Sequence, residues 1–199
     1  MRSTKDITSK LPTIFVGIML VFVLALSWMV EWSPDGKYIA GFAFTDTDEY
    51  NVIFAVNRTN GNLLRVTPPQ EDQYKEILAW HPDGDQISYM YYGSDFQNDG
   101  TRIVPLTGGS PAHLVNMPDP MWDYIGTWGP DGKYYFVSSP RGAGNWALYS
   151  FDESTGDYEK VRGADDRSIG MPSWSGDGST MTWHETQSTR QIWLLTDYE

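Results

Sequence analysis

The sequence predicts an all-β protein, a β-propeller of about four four-stranded blades with the last blade incomplete, preceded by an N-terminal hydrophobic helix. Three observations lead to this prediction. One turn phrase occurs four times, as EWSPDGKYIAGF, WHPDGDQISYMYY, WGPDGKYYFVSS and WSGDGSTMTWHE. Its tryptophans are 48, 48 and 46 residues apart, and short strand patterns follow each copy. A period of this length is typical of a propeller in which each repeat supplies one blade.

The repeated phrase has a simple physical basis. An aspartate in a tight turn hydrogen-bonds its own backbone, and the glycine after it supplies a positive φ. We expect the tryptophans to be apolar wedges between neighbouring blades, because each can bury on the order of 200 Å². The structural residues of the four repeats are Trp32, Asp35, Gly36, Trp80, Asp83, Gly84, Trp128, Asp131, Gly132, Trp174, Asp177 and Gly178.

The strand patterns after each turn complete the blades. In the first repeat they read KYIAGFAF, NVIFAVN and LLRVT, with hairpin residues between the last two. In the second repeat the last strand pattern is AHLVN, and in the fourth repeat the third strand pattern is QIWLLTD. Repeats starting near residues 28, 76, 124 and 170 give fifteen predicted strands in one domain over 28–199, and the fourth repeat stops at TDYE. The unfinished blade predicts an unpaired edge, which favours self-association. A fragment of a longer propeller is the alternative.

These repeats resemble the TolB-like, or WD-like, β-propeller repeat. The resemblance covers residues 28–199 and is strongest in WSPDGK and in SSPRGAGNWALYSFDESTG. It implies a propeller fold and an exported or envelope-associated binding module, or a gating domain such as those of serine oligopeptidases. The sequence contains no G-x-S-x-G nucleophile elbow.

Residues 1–27 are predicted to be a signal peptide or a membrane anchor. The basic stretch MRSTKDITSK precedes twenty uncharged residues, 11–30. That length favours a membrane-spanning anchor, whereas the small residues around Ala25-Leu26-Ser27 favour cleavage. Both alternatives place the propeller outside the cytoplasm, either anchored by one span or in the periplasm or extracellular space.

The composition limits the classes of partner that the chain can bind. The chain has 14 basic and 26 acidic residues, a net charge of -12, and no cysteine. We expect no nucleic-acid binding and no thiolate metal site, and partners that are neutral or cationic.

One face of the predicted propeller collects acidic and aromatic loops. These loops contain thirteen acidic residues, Glu185 among them, and four basic residues, Lys75, Arg141, Arg167 and Arg190. Aromatic side chains among charges are the mixture that binding interfaces favour, whereas acidic loops alone also keep an exported protein soluble. We predict that this loop face binds a protein or an extended ligand. Its predicted residues are Asp46, Asp48, Glu49, Tyr50, Tyr74, Phe96, Asp119, Trp122, Asp123, Tyr124, Trp146, Asp165 and Asp166.

Catalysis, a metal and a cofactor are not predicted. His81 and His113 lie in the second repeat and His184 in the fourth, and the three share no motif, which argues against a zinc site. His184 and Glu185 are a candidate acid–base pair, although no nucleophile lies beside them. The alternatives to a binding module are a hydrolase or lyase with its site at the propeller funnel, and a structural spacer.

Overall fold

A computed structural model describes residues 30–44, 51–68, 74–92, 98–118, 121–140, 145–163 and 167–187. All the regular structure in these ranges is β-strand. The strands are β1 Val30–Trp32, β2 Tyr38–Ala43, β3 Val52–Asn57, β4 Leu63–Arg65, β5 Tyr74–Trp80, β6 Gln86–Tyr92, β7 Asn98–Pro105, β8 Ala112–His113, β9 Met121–Trp128, β10 Tyr134–Pro140, β11 Ala147–Asp152, β12 Asp157–Arg162, β13 Arg167–Trp174 and β14 Met181–Gln187.

Two predicted elements lie outside these ranges. They are the N-terminal hydrophobic helix and the third strand of the last blade, QIWLLTD at 191–197. Within the described residues, no helix has the length and apolar character needed to cross a membrane.

The strands form three four-stranded sheets and one two-stranded sheet, with consecutive strands always adjacent. The orders are β1-β2-β3-β4, β5-β6-β7-β8, β9-β10-β11-β12 and β13-β14. Every pair is antiparallel, so each sheet is the simple meander of a propeller blade. The all-β prediction and the four-stranded blades are confirmed. The outermost strands β4 and β8 have three and two residues, fewer than the patterns LLRVT and AHLVN predicted.

The repeated turn has the same geometry in all four copies. Its glycine has a φ of 67°, 76°, 79° and 70° at positions 36, 84, 132 and 178. In the first copy, Oδ1 of Asp35 accepts the backbone N–H of Lys37 at 2.9 Å. Asp131 and Asp177 accept equivalent backbone N–H groups at 3.2 and 3.0 Å. The predicted turn chemistry is therefore confirmed, and Gly178 keeps it where Gly176 replaces the proline.

The described strands belong to two compact units, one ending at Leu114 and one beginning at Val115. In the first unit, the two blades share an apolar core. That core includes Ala40, Ile53, Ala55, Val66, Leu78, Trp80, Ile87, Tyr89 and Val104. In the second unit, a core of Val137, Leu148 and Ile169 joins β10 and β11 to β13. The single domain over 28–199 stays a prediction.

The wedge prediction holds for Trp80. This side chain is 7% exposed, its ring lies 6.5 Å from that of Tyr38, and its indole N–H donates to the backbone carbonyl of Glu31 at 3.0 Å. Its contacts therefore reach the preceding blade. Trp174 also reaches back, with its ring 5.2 Å from that of Tyr135 in an edge-on arrangement.

The wedge prediction is wrong for Trp32, which is 54% exposed. A wedge packs on the blade before its own, and no described strand precedes β1. Arg58 lies 6.0 Å over the Trp32 ring, at the limit of a cation–π contact. Trp128 is buried, at 7% exposed, and its ring packs in a tilted arrangement 5.2 Å from that of Tyr134 in its own blade.

A β-bulge recurs in the innermost strand of the second, third and fourth blades. The register skips Ile77, Ile125 and a segment around Met171, each three residues before the repeat tryptophan. Ile77 and Met171 have φ values of 51° and 47°, in the left-handed region that side chains rarely adopt. The repeat thus includes a strained backbone feature that the residue pattern did not predict.

Candidate functional site

The structure describes five of the thirteen residues predicted for the loop face. They are Tyr74 in the first unit and Trp122, Asp123, Tyr124 and Trp146 in the second. The others, Asp46, Asp48, Glu49, Tyr50, Phe96, Asp119, Asp165 and Asp166, lie outside the described residues.

Three aromatic residues come together on the third blade. Trp122 and Tyr124 alternate near the start of β9, so their side chains share one side of the sheet. Trp146 immediately precedes β11, and its ring lies 5.3 Å from that of Tyr124. All three are half-buried, so each keeps a surface that a ligand can contact. We call Trp122, Tyr124 and Trp146 the aromatic cluster.

Backbone hydrogen bonds fix the position of Trp146. Its carbonyl accepts the N–H of Ile169 at 2.8 Å, and its own N–H donates to the Ser168 hydroxyl at 3.3 Å. Its side chain also packs against the apolar core of the second unit. The fourth blade therefore fixes the position of the aromatic cluster through its contacts with Trp146.

Buried polar groups lie on the other side of the same sheet. Asp123 pairs in register with Ser138, and the two residues are 5% and 1% exposed. Within the described part of the chain, the Ser138 hydroxyl has no hydrogen-bond partner. Asp123 was predicted to be an acid of the loop face, but it is buried within the blade.

In the first unit, Tyr74 begins β5, and its ring lies 6.5 Å from that of Tyr92. Desolvation, followed by the charge of Glu76, raises the pKa of the Tyr74 hydroxyl. The next residue, Lys75, was expected among the bases of the loop face but is fully buried. The structure places it in a blade-to-blade contact and not in a solvent-facing charge pattern.

That contact is a clamp between the first two blades. The Asn51 side chain accepts the backbone N–H of Lys75 at 2.8 Å and donates to its carbonyl at 2.6 Å. The Lys75 ammonium donates back to the Asn51 carbonyl at 3.3 Å. Asn51 and Trp146 both directly precede the third strand of a blade, so the same position links neighbouring blades in both units. We call the Asn51–Lys75 contact the clamp. Asn51 was not predicted from the sequence to have this role.

Glu185 is not a suitable member of an acid–base pair. Its carboxylate accepts a hydrogen bond from the Trp183 indole at 3.2 Å and from Arg162 and Arg167 at 2.9 Å each. These contacts, with the indole the largest cause, lower the pKa of Glu185 to about 2. Such a carboxyl group stays ionised and charge-paired, so it is neither a proton donor to His184 nor an unpaired acid of the loop face.

One group of metal-ligating side chains comes together among the described residues. His81, Asp83 and Asp85 lie in the turn of the second blade, with ligand atoms within 4.8 Å of one another. This group was not predicted, because the histidines were compared only with one another. The available signal was the pattern H-x-D-x-D within one copy of the repeated phrase.

Few groups on the innermost strands suggest catalysis. Desolvation raises the pKa of the Glu31 carboxyl, whose backbone carbonyl accepts the Trp80 indole. Thr127 is half-buried and Ser173 is exposed. Glu31 belongs to the first unit, and Thr127 and Ser173 belong to the second.

Comparison with known proteins supports the fold. No protein-family model matches the chain, and no curated protein matches it. TolB from Acinetobacter baumannii superimposes with a TM-score of 0.55 at 21% identity, over 77% of this chain and 36% of TolB. A chain of the nidogen/laminin complex gives 0.55 at 12% identity, over 77% and 54% of the two chains. The tricorn protease gives 0.53 at 13%, over 78% and 20%.

The likeness concerns the fold and not the activity. The chain spans 36%, 54% and 20% of these three solved chains, which include a protease and a protein complex. One fold can carry unrelated functions, so these matches do not assign catalysis or binding. Together with the repeated turns and the antiparallel meanders, they establish one conclusion. The chain carries blades of the β-propeller fold.

Proposed function

We propose that the chain is a binding module that captures a protein or an extended ligand on the loop face of its third blade. The observation that carries the proposal is the aromatic cluster. Its three half-buried rings are held by β9, β11 and the backbone contacts of Trp146. Rigid, partly exposed aromatic residues are frequent hot spots in protein interfaces.

The chemistry of the partner follows from charge. The chain has a net charge of -12, and five of the predicted acids, Asp46, Asp48, Glu49, Asp165 and Asp166, lie in loops of the same predicted face. Such a field attracts cationic segments and repels nucleic acid and anionic surfaces. We therefore propose a partner that is neutral or cationic. The nidogen/laminin match supports protein binding, because that blade fold occurs in a protein–protein complex.

Location and assembly complete the proposal. The apolar residues 11–30 would direct the propeller to the cell envelope, as a single-pass anchor or as a cleaved signal. The fourth blade would provide an edge for self-association. TolB likeness is compatible with both ideas at the level of fold.

Catalysis is the second candidate function, favoured by the match to the tricorn protease. Its site would lie at the propeller funnel, and the chain would act as a hydrolase or lyase or as the gating part of a peptidase. We rank it lower because Glu185, the acid of the one candidate acid–base pair, is held by Arg162 and Arg167.

In the test, the full chain is purified in mild detergent and used to select the peptides that bind it from a displayed peptide library. We expect the selected peptides to be basic and to contain apolar residues. Trp122→Ala should weaken their binding at least tenfold, because it removes one ring of the cluster. Trp32→Ala is the matched control, since Trp32 is exposed in the other unit. Equal affinity of the wild type and Trp122→Ala, or equal losses in both variants, would exclude the aromatic cluster as the binding site.

A further inference from the structure

The turn of the second blade departs from the other three copies at two positions. His81 stands where the other copies have Ser33, Gly129 and Ser175. Asp85 stands where they have Lys37, Lys133 and Ser179. Both changes introduce a side chain that can bind a metal ion, and the aspartate between them, Asp83, is common to all four copies.

The first copy shows what Asp85 replaces. There the Lys37 ammonium lies 2.7 Å from Oδ2 of Asp35, so the turn carries its own cation. In the second copy the equivalent position is a second carboxylate. Among the described residues, no lysine or arginine pairs with Asp83 or Asp85, and the charged contact of Asp83 is with His81. Compared with the first copy, the turn therefore has a second carboxylate in place of the lysine ammonium and an imidazole in place of the serine hydroxyl.

The geometry of the group is close to that of a coordination shell. Nδ1 of His81 lies 3.6 Å from Oδ2 of Asp83. Ligands about 2.1 Å from a tetrahedral Zn²⁺ are about 3.4 Å apart, so these two atoms need little movement. Nδ1 accepts the backbone N–H of Asp83 at 3.2 Å, so an ion bound at Nδ1 replaces this hydrogen bond. One ligand atom from each of His81, Asp83 and Asp85 lies within 4.8 Å of the others.

We propose that His81, Asp83 and Asp85 bind a first-row divalent transition metal ion such as Zn²⁺. One nitrogen and two carboxylate oxygens suit such an ion, with water at the remaining position. Ca²⁺ and Mg²⁺ bind less well, because they take oxygen ligands alone. The ion bridges the end of β5 and the start of β6, since His81 follows Trp80 and Asp85 precedes Gln86. It therefore stabilises the hairpin that β5 and β6 form in the second blade.

The experiment is isothermal titration of the untagged full chain with ZnCl₂ after chelator treatment, with thermal unfolding in parallel. We expect one site and a melting temperature that rises with the concentration of Zn²⁺, because the ion binds only the folded turn. Co²⁺ should give visible absorption bands typical of a nitrogen- and oxygen-bound ion. CaCl₂ should produce neither heat nor a shift at the same concentrations.

Two variants restore residues that other copies of the repeat already have. His81→Ser and Asp85→Lys should each weaken Zn²⁺ binding at least tenfold and leave the melting temperature in chelator nearly unchanged. His113→Ser, which removes an imidazole from β8, is the matched control and should bind as the wild type does. Absence of Zn²⁺ binding to the wild type, wild-type affinity in either turn variant, or tighter binding of Ca²⁺ would overturn the proposal.

Discussion

At the scale of single residues, the surroundings of the repeat tryptophans differ. Trp80 is 7% exposed and donates to Glu31 in the preceding blade, whereas Trp32 is 54% exposed. Trp80→Ala should lower the free energy of unfolding by roughly 3–5 kcal/mol, because it leaves a cavity in the core. Trp32→Ala should cost less than about 1 kcal/mol. Denaturant titration measures both, and equal losses would contradict the burial difference.

Because of Glu185, the stability of the second unit should change with pH in the acidic range. Its pKa is lowered to about 2 by Trp183, Arg167 and Arg162, below the ordinary glutamate value of 4.5. A lowered carboxyl pKa stabilises the fold fully above the ordinary value, and this contribution disappears as the pH falls towards 2. The melting temperature of Glu185→Gln should therefore be below that of the wild type at pH 6, and the two should converge near pH 2. A gap that does not change with pH would contradict the ion-pair account.

At the scale of elements, the bulges in the innermost strands store strain. Met171 has a φ of 47° and is 57% exposed, so glycine would relieve the backbone and remove few contacts. Met171→Gly should raise the free energy of unfolding by about 0.5–1 kcal/mol. Ser173→Gly, in the same strand and also exposed, should lower it by a similar amount, because its φ is not positive. Thermal unfolding compares the two variants, and a loss of stability in both would refute the strain.

The Asn51 clamp couples the first two blades. Asn51→Ala removes two buried hydrogen bonds to the Lys75 backbone and leaves its N–H and carbonyl without that partner. We expect a loss of about 2–4 kcal/mol in the free energy of unfolding. Asn116→Ala changes an exposed asparagine and should cost less than about 0.5 kcal/mol. A near-neutral Asn51→Ala in chemical denaturation would mean that the clamp contributes little.

The elements also show how far the sequence could predict the structure. The turns were predictable because Asp-Gly with a preceding proline satisfies local backbone requirements, as at Asp35 and Gly36. The bulge at Ile77 and the clamp at Asn51 were not predictable, since both depend on the neighbouring strand or blade. The burial of Lys75 and the pairing of Glu185 escaped prediction for the same reason.

At the scale of the whole molecule, the described strands form two compact units built from repeated blades, and the aromatic cluster lies on the third blade. Several sequence predictions lie outside the described residues and stay predictions, including the envelope segment at 1–27 and the acids Asp165 and Asp166. Self-association through the fourth blade also stays a prediction. Light scattering of the detergent-solubilised full chain should give more than one copy per particle, and a monomer would rule this out.

The central claim is that a partner binds the third blade through the aromatic cluster. Hydrogen–deuterium exchange of the full chain, with and without the tightest selected peptide, tests it most directly. We predict slower exchange at residues 121–124 and 145–147, with the repeated turns at 33–36 and 81–84 unchanged. Protection confined to the repeated turns, with residues 121–124 and 145–147 unaffected, would show that the partner binds the opposite ends of the blades and would contradict the account.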